Sequence, residues 1–137
     1  FTVNGTMTQT IDTPSNVFST LNALTSGAGS FLSQGNLTGT QASASHTSLV
    51  GTLGASTGKY YFEAKLNTVG SVANATVIGI ARIDSNAFKS SSHNAGELND
   101  YVYTAGAEQQ VNNTSASYGN TYTTGDIIGV AFDLDNN

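Results

Sequence analysis

The chain has 137 residues, a length that suits one domain with its own core. Four basic residues stand against nine acidic ones, giving a net charge of −5, and so few cations argue against binding nucleic acid or an anionic membrane surface. There is no Cys, which excludes a disulfide framework and a thiolate metal site, no secretory signal is visible, and no apolar run approaches the ~20 residues of a bilayer-spanning helix.

Only 9% of the residues are charged, and the polar complement is mostly Ser, Thr, Asn and Gln. Low hydrophobicity combined with high charge marks disorder. Here the apolar residues instead recur in alternating blocks, so the polar excess reads as uncharged strand faces and turns. Such a surface suits secreted or particle-surface β-proteins.

In chain order, FTVNGTMTQTID comes first. It places Phe1, Val3, Met7 and Ile11 on one parity and Thr on the other, the pattern of a half-buried strand with a possible bulge at Gly5. Phe1 in place of an initiating Met implies processing or further N-terminal residues. Pro14 ends the extended run. In NVFSTLNAL, Val17, Leu21 and Leu24 have helical spacing, and a turn of helix and an apolar-anchored loop both fit. SGAGS reads as a loop, GNLTGTQASASHTSLVGTL as one or two short strands, and GASTGK as a turn.

GKYYFEAKLN alternates again, with Tyr60, Phe62, Ala64 and Leu66 facing one way and Tyr61, Glu63, Lys65 and Asn67 the other. TVGSVANA reads as a loop. TVIGIARI is nearly continuous in apolar character, which predicts a strand covered on both faces and central in its sheet. Gly79 within it leaves room for a close neighbour. Residues 84–100 form the longest polar stretch. YVYTAG and EQQVNN read as a strand pair around Gly106, TSASYGNTYTTG as a loop, and DIIGVAFDLD as the last strand, with Ile128, Val130, Phe132 and Leu134 on one face. Short strands at roughly ten-residue intervals predict an all-β, antiparallel β-sandwich. Alternating side chains would then seal a dry interior between two stacked sheets.

Several segments resemble, in this order, the SPRY (B30.2-like) domain, a concanavalin-like jelly roll. GKYYFEAKLN is similar to its Gly-Lys turn and aromatic-x-Glu strand, VIGIARI to its Val-Gly-Ile-Ala strand, and NDYVYTAGAEQQVNN to its Tyr-rich hairpin. YTTGDIIGVAFDLDNN resembles the most specific element, Gly-Asp-x-Ile-Gly-Val-x-x-Asp. The resemblance covers residues 47–137. Residues 1–46 form an N-terminal strand and anchoring loop segment expected to pack on the sandwich. IDTPSNVFSTLNAL within them resembles the segment before SPRY-like domains in tailed-phage structural proteins. Two features depart from the family. Trp is absent where Tyr60–Phe62 stand, and the pattern breaks off after Asp-x-Asp, so the C-terminal hairpin is expected to be missing or supplied by a neighbouring subunit.

The resemblance implies a non-enzymatic virion structural or recognition module, such as a tail fibre, tail appendage or capsid-decorating protein on the particle surface. Its partners would be other virion subunits, in a homo-oligomer, and a host-surface glycan or protein met through multivalent loop contacts. The alternatives are architectural subunit-to-subunit glue and a cellular SPRY adaptor. The polar stretch supplies the candidate binding residues Asn94, Glu97, Asn99, Asp100 and Tyr101, because Tyr with amide side chains suits adaptable recognition. Tyr103 shares the parity of Tyr101 and fits a packed core ring equally well.

No cofactor and no metal are expected. Asp133, Asp135, Asn136 and Asn137 could offer oxygens to Ca²⁺, but they lack EF-hand spacing and suit a turn better. Gly125–Asp126 reads as a turn with a side-chain cap. Glu63, Asp84, Glu97, Asp100 and Glu108 are the candidates for a glycosidase pair, without a motif to join any two. His46 and His93 sit among Ser, Thr and Asn, with no Gly-x-Ser-x-Gly nucleophile to serve.

Overall fold

A computed structural model describes residues 18–25, 30–41, 48–70, 75–85, 100–112 and 114–136. The predicted strand over 1–12, His46, His93 and the candidates Asn94, Glu97 and Asn99 lie outside the described residues.

Among the described residues the protein is all-β, antiparallel and sandwich-like, with no helix long and apolar enough to cross a membrane. Eight strands form: β1 (Ser30–Ser33), β2 (Thr38–Gln41), β3 (Lys59–Lys65), β4 (Val77–Ala81), β5 (Asp100–Thr104), β6 (Glu108–Val111), β7 (Thr114–Ser117) and β8 (Ile127–Asp133). They make the hairpin β1-β2, the ribbon β3-β8 and a four-stranded sheet in the order β4-β5-β6-β7.

The β1-β2 hairpin turns through Gln34, Gly35 and Asn36, all at positive φ. Its tip captures the segment before it: the Leu21 amide donates to the Asn36 carbonyl at 2.8 Å. Leu21 also bridges Gly51, and the Asn22 and Thr52 amides bond Val50 and Thr20. Leu21 and Leu49 close over Gly39, where a β-carbon would lie 2.3 Å from Leu49 Cδ1. Residues 18–25 are therefore a bridged loop ending in a turn, which resolves the helix-or-loop ambiguity at Leu21 and Leu24. Residues 48–53, on the far side of the expected boundary at 46/47, pair with this N-terminal part.

In the β3-β8 ribbon the predicted alternation is observed. Tyr60 pairs with Phe132, Phe62 with Val130 and Ala64 with Ile128 on one face, and the Tyr60 and Phe132 rings stack at 5.5 Å. Lys59, Tyr61, Glu63 and Lys65 share the other face with Asp133, Ala131, Gly129 and Ile127. The expected dry interior is not sealed, however. Tyr60 is 45% exposed and Phe62 37%, while the only buried apolar residues among those described are Ala105 and Tyr122. Alternation selects which face is apolar; covering that face requires a second layer wide enough to reach across it.

Two further expectations are corrected. Among the described residues, the continuous apolar run at 77–81 forms an edge strand, since β4 pairs with β5 alone in its sheet. Every residue of β4 is half-buried, so the run reports cover on both faces and carries no information about lateral position. The stretch after Asn113 is not wholly loop: β7 pairs with β6 from Val111↔Thr114 to Glu108↔Ser117. Its residues are small, exposed and, Ala116 apart, polar, so they lack the apolar period that reveals a strand, but Asn112 at positive φ marks the tight turn before it.

Gly79 permits the β4-β5 pairing. A β-carbon there would sit 2.0 Å from the Tyr101 carbonyl oxygen and 2.7 Å from Val102 Cα, both backbone atoms that cannot yield without breaking the ladder. The close neighbour anticipated at Gly79 is therefore main chain. Gly129 is different, because the atom in the way is the hydroxyl of the exposed Tyr61 at 2.6 Å.

The 118–126 connection ties the sheet to the ribbon. Tyr122 is 5% exposed, and its hydroxyl lies 2.9 Å from the Thr76 carbonyl and 3.0 Å from that of Tyr103, within donating distance of both. Its amide bonds Ala105. Tyr103 meets the rings of Tyr118 and Tyr122 edge-on at 5.4 and 5.1 Å and donates its hydroxyl to the Asn120 carbonyl. At the other end of the connection, Gly125 and Leu66 exchange backbone bonds with Leu66 and Asp126, and Thr124 Oγ1 accepts from Val69.

Two measurements check this account. Gly79→Ala is expected to cost about 3 kcal/mol or more and Gly129→Ala less than about 1, read from urea unfolding midpoints. Tyr122→Phe is expected to cost about 1 kcal/mol, since Thr76 O keeps its bond from the Ala105 amide. Burial, then repulsion from Tyr103, raises the Tyr122 hydroxyl to about 12 from 10.0. The folded state thus holds this proton more tightly. The associated stability is fully present below pH 10.0 and is lost as pH rises towards 12, a loss that Tyr122→Phe should remove from alkaline unfolding curves.

Candidate functional site

β4 and β5 place Tyr101 at one end of the four-stranded sheet. The register pairs Ile80 with Tyr101 and Ala81 with Asp100, so the chain leaves β4 through a turn at the same end. That turn is closed by the Ser85 amide on the Arg82 carbonyl at 2.9 Å, and Arg82 Nη2 donates to Asp84 Oδ2 at 3.0 Å. Ile83 at its crest is 81% exposed and Tyr101 is 53% exposed. An aromatic ring, an aliphatic side chain and an exposed ion pair thus share this end.

Of the two described candidates, only Tyr101 is on the surface. Asp100 opens β5 and is 1% exposed, on the face opposite Tyr101; Ser85, which closes the 82–85 turn, is buried as well. Tyr103 is half-buried, with its ring and hydroxyl engaged as described, and so serves packing. Sequence reasoning missed Ile83 and Arg82. The available signal was Arg-Ile-Asp directly after a strand, where an apolar residue between charges in a turn has no core to enter.

Asp126, Asp133, Asp135 and Glu63 are occupied structurally. Thr123 N donates to Asp126 Oδ2 at 2.8 Å while Gly125 takes φ +97, the capped turn expected at Gly125–Asp126. Asp133 Oδ1 accepts from the amides of Asp135 and Asn136, its Oδ2 from Asn136 Nδ2 and Lys59, and Asp135 Oδ1 from the Gly58 amide at 2.7 Å. With the Leu134 amide on the Gly58 carbonyl, this clasp joins the start of β3 to the end of β8. Oxygens that face N–H donors are poorly placed for a cation, and no trio of His, Cys, Asp or Glu groups together among the described residues. Glu63 lies on β3, Asp84 in the 82–85 turn, Asp100 on β5 and Glu108 on β6. Tyr61 donates to Glu63 Oε1 at 2.8 Å, and that bond, followed by desolvation and the Glu63 charge, raises the phenol above its ordinary value of 10.0.

No family model matches this chain, and no curated protein matches it.

The clasp has a pH signature. Lys59 first, then the Asn136 side chain and the Asp135 amide, hold the Asp133 carboxyl at about 2, below its ordinary 3.8. A lowered folded-state value means that the clasp contributes fully above pH 3.8 and fades as pH falls towards 2. Asp133→Asn should flatten the acid limb of stability against pH in urea unfolding and leave the neutral-pH far-ultraviolet spectrum unchanged.

Proposed function

We propose that the protein is a non-enzymatic recognition module of SPRY type on a virion surface, attaching to a host-surface glycan or protein through the sheet end built by Tyr101 and the 82–85 turn. The observation that carries this reading is the joint exposure of Tyr101 and Ile83 on a backbone-bonded frame, with Asp100 buried behind them. Tyr offers large contact area at low entropic cost, and the net charge of −5 turns the module away from phosphate-rich partners. A single small patch binds weakly. Repetition on a particle would multiply it, since effective concentration raises avidity by about 10²–10⁴.

A second reading is architectural glue between virion subunits. It is favoured by β8, whose Ile127–Phe132 stretch is apolar throughout while its pairing among the described residues is with β3 alone.

The test compares the protein as a monomer with the protein displayed on a multivalent bead, by cell binding in flow cytometry. Host cells should retain beads and release monomer, and Tyr101→Ala and Ile83→Ser should each abolish retention without changing the unfolding midpoint. Retention insensitive to both substitutions would overturn the recognition reading and leave the architectural one.

A further inference from the structure

A different surface, the outer face of the β3-β8 ribbon, carries a small assembled platform. Tyr61 pairs with Ala131 and leans diagonally over Gly129, where a β-carbon would lie 2.6 Å from its hydroxyl and 3.1 and 3.2 Å from Cε2 and Cζ. Glu63 stands directly opposite Gly129 and accepts the Tyr61 hydroxyl through Oε1 at 2.8 Å. An aromatic ring covering a strand glycine is a recognised packing device, and it accounts for where the ring lies. It does not use the rest of the ring, since Tyr61 as a residue is 63% exposed, nor does it require a carboxylate at its rim. Absence of a side chain at Gly129 and a single methyl at Ala131 leave the floor beside the ring low and flat.

From this geometry we infer a binding site for one neutral pyranose, with Tyr61 as the stacking platform and Glu63 as the hydroxyl acceptor. The C–H face of a sugar ring is apolar and matches one phenol face in size, and its burial there is favourable. Glu63 Oε1 is already engaged by the phenol, which leaves Oε2 to accept from the ligand, and a hydroxyl-to-carboxylate bond is of the stronger, charge-assisted kind. Lys59 is engaged with Asp133 at the far end of the ribbon, and Lys65, the next residue on the face of Glu63, makes no ion pair with it. The platform is one ring wide. A stable protein partner needs about 800 Å² on each side, which one ring and two small residues do not supply. The inference does not rest on the virion reading.

The test is an amide NMR titration of the 137-residue chain with methyl β-galactopyranoside, methyl α-glucopyranoside and N-acetylglucosamine. At least one should give saturable shifts at Gly129, Ala131 and Glu63 with a millimolar dissociation constant. Tyr61→Leu should abolish them, and Glu63→Gln should weaken binding about tenfold while leaving the spectrum otherwise intact. Should Tyr61→Leu perturb the fold, Glu63→Gln carries the test, because it leaves the ring and the glycine untouched. Tyr101→Ala should have no effect on these shifts, which separates this site from the sheet-end site. No saturable shift with any of the three sugars, or shifts that both Tyr61→Leu and Glu63→Gln leave unchanged, would overturn the inference.

Discussion

The described structure depends on one buried phenol. Tyr122 sits where the 118–126 connection crosses the end of the four-stranded sheet, its hydroxyl between the carbonyls of Thr76 and Tyr103. Thr76 directly precedes β4 and Tyr103 is the last residue but one of β5, so a single side chain holds two strand ends and the connection together. The connection then runs to β3 and β8 through Thr124 and Asp126. A buried hydroxyl with acceptors on two sides is geometrically demanding, and that demand is what sets the position of the ends.

Around this point, short-range polar bonds take over work that a larger core performs elsewhere. Few apolar side chains among the described residues are buried, and the apolar ribbon face is half covered. Backbone and side-chain closures compensate at the ends: the Asp133–Lys59–Asn136 clasp, the Asp126 cap and the Asn36–Leu21 link. Such closures orient strands well. They contribute less to stability than burial does, because each exchanges a bond to water for a bond to protein. Main-chain contact at Gly79 completes the set by bringing β4 against β5 without an intervening side chain.

That frame explains why two surfaces differ in character. At the sheet end, Tyr101 and Ile83 project from a register that Gly79 and the 82–85 turn hold in place, with polar residues buried behind them. On the ribbon's outer face, Tyr61 lies down over a glycine and keeps one side open. Both use tyrosine, whose ring offers area while its hydroxyl retains a polar bond. The distinction from Tyr103 and Tyr122, chemically identical, is wholly one of place.

Much of the fold was legible in the amino-acid order. The alternation in 60–66 and 127–134, the hairpin around Gly106 and the caps at Gly125–Asp126 and Asp133 follow from side-chain periodicity and turn chemistry, which act over a few residues. The short strands β1 and β7 left little trace, because Ser-Phe-Leu-Ser is too short to show a period and Thr-Ser-Ala-Ser has no large apolar residue to carry one. Lateral order was not legible either: the apolar run of β4 showed cover on both faces, and only the folded sheet put it at an edge among the described strands. For the candidate site, tyrosine and acidic residues could be named from their neighbours, but which of Asp100 and Tyr101 meets solvent was decided in three dimensions. Exposure depends on what the rest of the chain brings alongside a residue, and that is a long-range property no local pattern contains.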